Sequence, residues 1–181
     1  ARYTPISGSE EAFRQHWGMT GGLSLGLGQI TATGQTKRGA NVEFDGRYIG
    51  GDEDHLTRLR IERPGLDYVE VGYESWREFG LSTGGWLDGM EHSPFSLANA
   101  PYLDHERVWL SAGLAKRDAP KLDFTYERLG RNGRLATQQW GGVPVGEFET
   151  RAIYPATKSV DETIHRLSLR AEHEIGDTQI E

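Results

Sequence analysis

From Gly21 onward the side chains repeat with a period of two, and one face of that repeat carries charges of both signs. Two is the period of a β-strand, because successive side chains of an extended chain point to opposite sides. Val42, Phe44 and Tyr48 alternate with Glu43, Asp45 and Arg47. Leu59 and Ile61 alternate with Arg58, Arg60 and Glu62, and Val69, Val71 and Tyr73 with Glu70 and Glu74. Further on, Val108, Leu110, Ala112 and Leu114 share one face, and Leu122, Phe124 and Tyr126 alternate with Asp123, Thr125 and Glu127. Leu167, Leu169 and Ala171 alternate with Arg166, Ser168, Arg170 and Glu172, while Leu23, Leu25 and Leu27 form a weaker first case.

The pattern predicts an all-β chain, an antiparallel up-and-down meander of about seven or eight strands, long beside the usual length of about 5–6 residues. The strands fall near 22–34, 39–50, 54–63, 66–78, 104–116, 119–130 and 160–176, with another starting near 178. Residues 1–20 read as an irregular segment in which Ser9-Glu10-Glu11 caps a helical turn. Short turns, marked by Gly, Asp and Pro, fall at 35–38, 51–53, 64–65, 117–118 and 176–177, and long loops at 79–103 and 131–159. One short turn separates the two long loops, so both lie on one side of the sheet. That is the parity of an outer-membrane barrel, with short turns on one side and long loops on the other, except that the short acidic connection Gly51-Asp52-Glu53 falls on the long-loop side.

Composition narrows the classes. A net charge of −7 argues against a general nucleic-acid binder, which needs a basic stripe. The absence of Cys excludes disulfides, thiolate zinc sites, Cys nucleophiles and c-type haem attachment within this chain. No apolar run is long enough for a transmembrane helix, but a transmembrane strand needs only about 9–11 residues with one apolar face. With 24 Gly, five Trp and seven Tyr, the chain has the make-up of twisted β-structure exposed on two sides. A strand begins just before Glu181, and we expect the sequence to be a piece of a longer protein.

Two arrangements satisfy the alternation. In a barrel, Glu43, Asp45, Arg47, Arg58, Arg60, Glu62, Glu70, Glu74, Glu127, Arg166, Arg170 and Glu172 face a wet lumen. Val42, Phe44, Val69, Val71, Leu110, Leu114, Leu122, Phe124, Leu167 and Leu169 then face lipid. The charged row either tunes ion selectivity, as charged rings do in channels, or forms a cross-strand salt-bridge ladder that fixes register. In a soluble sandwich or lipocalin-like binding module the same charged face meets water and the apolar face is the dry interior. Tyr48, Tyr68, Trp76, Trp109 and Tyr126 fit a membrane girdle or ordinary core packing.

Catalytic signatures are weak. Gly22-Leu23-Ser24-Leu25-Gly26 fits G-x-S-x-G, but that motif needs a strand, a sharp turn and a helix, and here it lies inside a Gly-rich strand. His165 and His173 share a strand face yet stand roughly 26 Å apart at strand rise. The other His residues, His16, His55, His92 and His105, are isolated. Asp52-Glu53-Asp54 is an acidic turn that offers oxygen ligands to a divalent cation or is simply solvated. Glu70 and Glu74 are about 13 Å apart in a strand, too far for the usual carboxylate pair, so a polysaccharide-acting enzyme, the third reading, needs two carboxylates that the fold brings within about 5–10 Å of each other beside Trp. No catalytic residue, metal site or cofactor site is assigned.

Several segments carry a resemblance. They are Ile6-Ser7-Gly8 with Phe13-Arg14; Gly72-Tyr73, Trp76-Arg77 and Ser82-Thr83-Gly84-Gly85-Trp86; Pro120-Lys121-Leu122, Tyr126-Glu127, Arg131-Asn132-Gly133 and Trp140-Gly141; and Ile153-Tyr154-Pro155-Ala156-Thr157-Lys158 with Asp161-Glu162-Thr163. In that order they resemble the outer-membrane β-barrel proteins related to the porin subunits of porin–cytochrome (decaheme-associated) electron conduits. The Cys-rich amino-terminal motif of some conduit porins is not within this span. The resemblance implies a bacterial outer-membrane barrel, with 21–181 as an early portion of it, lipid as its surroundings and a multihaem c-type cytochrome as a partner by analogy. The expected role is passive, a channel or the sheath of an electron-transfer conduit, not an enzyme.

Overall fold

The computed structural model describes residues 1–49, 53–83, 96–115, 120–145, 148–175 and 178–180. The chain runs β1 (Arg2–Thr4), α1 (Glu10–Trp17), β2 (Gly22–Ser24), β3 (Gly26–Gln35), β4 (Asn41–Ile49), β5 (Asp54–Arg63), β6 (Asp67–Phe79), β7 (Tyr102–Leu114), β8 (Lys121–Val145), β9 (Phe148–Ile175) and β10 (Thr178–Ile180). β1 pairs with β2, and β3 to β10 form one sheet in sequence order. The fold is therefore all-β and up-and-down, and each pairing with a described register is antiparallel. Among the described residues β3 and β10 are the edges of that sheet, and no pairing closes it. No helix among the described residues is long and apolar enough to cross a membrane.

Alternation and turn chemistry explain most of these elements. Val42 pairs with Ile61 and Ile61 with Val69, and Phe44 pairs with Leu59 and Leu59 with Val71, giving two consecutive apolar rows across three strands. The β5–β6 hairpin closes through Leu66 N donating to Arg63 O at 2.9 Å. Gly65 supplies the positive φ of 74° that this tight turn needs. Arg63 and Asp67 flank the turn as an ion pair.

Three boundaries differ from the sequence reading. The segment 131–159 is not a loop: β8 continues to Val145 and β9 starts at Phe148, giving strands of 25 and 28 residues. Its Gly and Pro residues and broken alternation read as loop, but β8 and β9 lie side by side and hydrogen bonding to the neighbour extends both. The expected strand 22–34 is two strands, because Ser24 pairs back to Arg2 and only the chain from Gly26 joins the large sheet. Residues 1–20 hold β1 and an α-helix of two turns, capped by Ser9, whose hydroxyl accepts from Ala12 N. The turns at 117–118 and 176–177, most of the turn at 51–53 and the middle of the loop at 79–103 lie outside the described residues.

The chain divides into two compact units. One holds 1–25, 77–105 and 131–162. In it Leu103 and Val160 are buried, α1 is held by Glu11, and Gly80 N donates to Pro101 O at 2.8 Å. Glu11 accepts from Ser82 N at 3.1 Å and from Ser82 Oγ at 2.7 Å. The other unit holds 26–76, 106–130 and 163–181, with β3 to β5 and the larger part of β6 and β7.

Candidate functional site

The charged face of the second unit is the most organised polar surface among the described residues. Antiparallel register sets its rows. Asp45 pairs with Arg58 and Arg58 with Gly72; Glu43 pairs with Arg60 and Arg60 with Glu70; Arg47 pairs with Leu56 and Leu56 with Glu74. Opposite charges therefore meet directly across strands at Asp45 and Arg58 and along Glu43, Arg60 and Glu70, where side chains are close enough to interact, while Leu56 stands between Arg47 and Glu74.

Arg58 is the hub. Its Nη2 lies 2.5 Å from Asp45 Oδ2 and 2.9 Å from Glu43 Oε1, and its Nη1 is 3.8 Å from Glu70 Oε2. Thr31 Oγ1 donates to the other Asp45 oxygen at 3.0 Å. Arg60 donates to Glu62 and Glu70, and its guanidinium lies over the Tyr68 ring, 4.5 Å from the centroid. Glu70 also accepts the indole N–H of Trp109 at 2.8 Å. Arg47 lies 2.9 Å from Asp54 and 3.6 Å from Glu74. Further along the sheet, Glu127 accepts from Arg107 at 2.6 Å and from Arg166 at 3.4 Å, and Arg170 pairs with Glu172 at 2.6 Å.

All twelve charged residues expected to share this environment are thus paired. Glu43, Asp45, Arg58, Arg60, Glu62 and Glu70 form one network; Arg47 and Glu74 form a second group with Asp54; Glu127 and Arg166 form a third; Arg170 and Glu172 pair along their own strand. The groups also engage Asp54, Thr31, Tyr68, Arg107, Trp109 and Asp123, which alternation alone does not assign to them. The signal was present for Trp109: its neighbours Val108 and Leu110 lie on the apolar face, so parity puts the indole on the other. Trp109, Tyr68 and, by the same parity on β6, Trp76 are accordingly not girdle residues of the apolar face but belong to the charged one.

Burial of the two faces is inverted along β6, whereas over 161–171 of β9 both faces are exposed, Arg166 and Arg170 included. β6 lies inside the sheet and reports both faces on one strand. Val69 and Val71 are 49% and 45% exposed, whereas the side chain of Glu70 between them is only 16% exposed. Gly72, on the charged face, is buried, and Tyr73, on the apolar face, is exposed. Leu110, Leu114, Leu122, Leu167 and Leu169 are exposed as well, while Val42, Phe44 and Phe124 are half-buried.

The remaining sequence candidates do not assemble into a centre. Ser24 is buried at the end of β2, and the next element is a strand, so the nucleophile-elbow geometry is absent. His165 Nδ1 lies 2.9 Å from the Tyr126 hydroxyl, His105 beside Glu78, and His55 against the Tyr48 ring. His16 packs edge-on to Trp17. His92 and Asp52 lie outside the described residues. Asp54 of the acidic turn is engaged by Arg47, and among the described residues no group of three or more His, Asp or Glu is placed to hold a metal ion. Glu70 and Glu74 go to different guanidinium groups and are not brought together.

The class so defined is an antiparallel up-and-down sheet with one ionic, hydrogen-bonded face and one apolar, exposed face. No protein-family model, no curated protein and no solved structure matches the chain.

Proposed function

We propose that this chain is a section of a bacterial outer-membrane β-barrel whose ionic face lines the lumen and whose apolar face meets lipid. The observation that carries this reading is the burial along β6, where Glu70 is sheltered and Val69 and Val71 are exposed. Exposing a contiguous apolar face to water is unfavourable, and large patches of that kind mark contact with a membrane or another protein. Arg or Lys on a lipid face costs about 2–4 kcal/mol at the midplane, so ionisable groups gather on the wet side of a barrel. A soluble sandwich or lipocalin-like module needs the reverse burial. The buried apolar set among the described residues, Ala40, Leu103, Trp109 and Val160, is small for a soluble core.

The role we assign is passive, a hydrated channel or the sheath around an electron-carrying partner, with no chemistry of its own. The carboxylates Glu43, Asp45, Glu62 and Glu70 are tied to Arg58 and Arg60 instead of forming an acid–base pair. A multihaem c-type cytochrome as the partner rests on the family resemblance alone. The test is fractionation of cells that make the full-length protein, with gel mobility compared before and after boiling. Recovery with the outer membrane and a heat-dependent shift is the expected result. A water-soluble, heat-indifferent protein would sink the proposal.

A further inference from the structure

We infer that Trp109 and Tyr68 are register-setting residues: each ring keys into a glycine of the facing strand, Trp109 into Gly72 and Tyr68 into Gly113, and together they align β6 with β7. The need for such a device follows from the connections. In a hairpin the turn fixes the register. β5 and β6 are joined by the tight turn at Gly65, but β6 and β7 are joined by the long connection 80–101, so no tight turn sets their alignment, and the Gly80 N to Pro101 O hydrogen bond at its base, 2.8 Å, belongs to the same alignment as the rings. The alternation does not fix it either. Val69, Val71 and Tyr73 on β6 face Val108, Leu110, Ala112 and Leu114 on β7, and a slip of two residues keeps every side chain on its face.

The sockets remove that freedom. Gly72 is the sole glycine of β6 and Gly113 the sole glycine of β7. A Cβ at Gly72 would lie 2.0 Å from Trp109 Cζ2, and a Cβ at Gly113 would lie 2.2 Å from Tyr68 Cε1. Each ring therefore occupies space that any other residue would fill. The two sockets are reciprocal and agree: four residues back along β6 correspond to four residues on along β7. A slip of two residues puts Glu70 or Glu74 opposite Trp109, and Ser111 or Ala115 opposite Tyr68, so neither ring has a vacancy to enter.

Each ring is also pinned at its polar end. Trp109 donates to Glu70, and the Tyr68 hydroxyl donates to Asp123 Oδ1 at 2.9 Å. Arg107 covers the Trp109 ring and Arg60 the Tyr68 ring, 4.8 Å and 4.5 Å from the centroids. The same guanidinium groups belong to the ionic ladder, so correct seating of the two rings and correct pairing of the charges are one event.

These 181 residues hold no cysteine, so an introduced pair supplies the only thiols of this section. In the full chain, Val71→Cys with Leu110→Cys samples the register described here, and Val71→Cys with Ala112→Cys samples a two-residue slip. Cross-linking is driven by copper phenanthroline in the folded protein. With both rings present, the first pair should form disulfide at least about tenfold faster than the second, as ~1.4 kcal/mol of register preference gives. With Trp109→Ala and Tyr68→Ala together, that ratio should fall to within about threefold, a residual preference of ~0.65 kcal/mol. Trp76→Ala, an aromatic of the same face with no glycine socket, should leave it unchanged. An undiminished preference in the Trp109/Tyr68 double variant would overturn the inference. Loss of both cross-links would overturn it too, because the rings would then hold the strands together without choosing their alignment.

Discussion

Placing an arginine on the apolar face separates the two environments that this face can have. Val71 is the best position, because it is the middle of the three apolar residues Val69, Val71 and Tyr73 on β6 and lies in the row Phe44, Leu59, Val71. It is 45% exposed, so an arginine enters without overpacking a core. If the face meets water, Val71→Arg is a surface substitution, within about 0.5 kcal/mol of wild type. If it meets lipid, the same change costs about 2–4 kcal/mol near the midplane, falling to about 0–1 near the interface. Leu114, close to the end of β7, supplies the interface comparison. The assay is equilibrium unfolding in lipid vesicles with urea, followed by tryptophan fluorescence. Val71→Arg should lose about 2–4 kcal/mol and Leu114→Arg less than half of that. Equal and negligible losses at both sites would refute the reasoning, since a water-facing surface has no depth dependence.

Arg58→Met leaves Asp45, Glu43 and Glu70 facing one another without their shared cation, so it should lower the unfolding midpoint more than Arg63→Met, which breaks only the pair at the β5–β6 turn; equal shifts in urea titration would remove Arg58 from its central place. Leu103→Ala empties the most completely buried large side chain of the first unit and should cost about 2–5 kcal/mol in the same titration; a loss under about 1 kcal/mol would mean that this unit has no packed core there.

The faces of the strands were legible in the sequence because a period of two is a local property. Arg58, Arg60 and Glu70 share a face by counting alone, and the ladder follows once β4, β5 and β6 are paired in register. The extent of β8 and β9 was not legible. Around Arg131-Asn132-Gly133 the alternation stops, and Gly133 takes a φ of 141° that marks a break in regular strand geometry. Its α-carbon is so near β7 that a Cβ would lie 2.4 Å from Tyr102 O. Pairing with neighbours keeps the strand going there, and pairing is a non-local property. Composition likewise says which residues share a face but not which face is sheltered. Trp109 shows the difference: its parity was readable, but the vacancy at Gly72 that receives it depends on the β6–β7 register.

If the two faces of β6 look into different media, adjacent residues on that strand must differ in what they touch. Single cysteines at Val69 and Glu70, each labelled in turn, place a probe on either face of one backbone segment. In vesicles containing brominated lipid, a fluorophore on Val69→Cys should be strongly quenched, while Glu70→Cys should be unquenched and should react with a water-soluble maleimide. Equal quenching at both positions, or quenching at Glu70→Cys alone, would contradict the account.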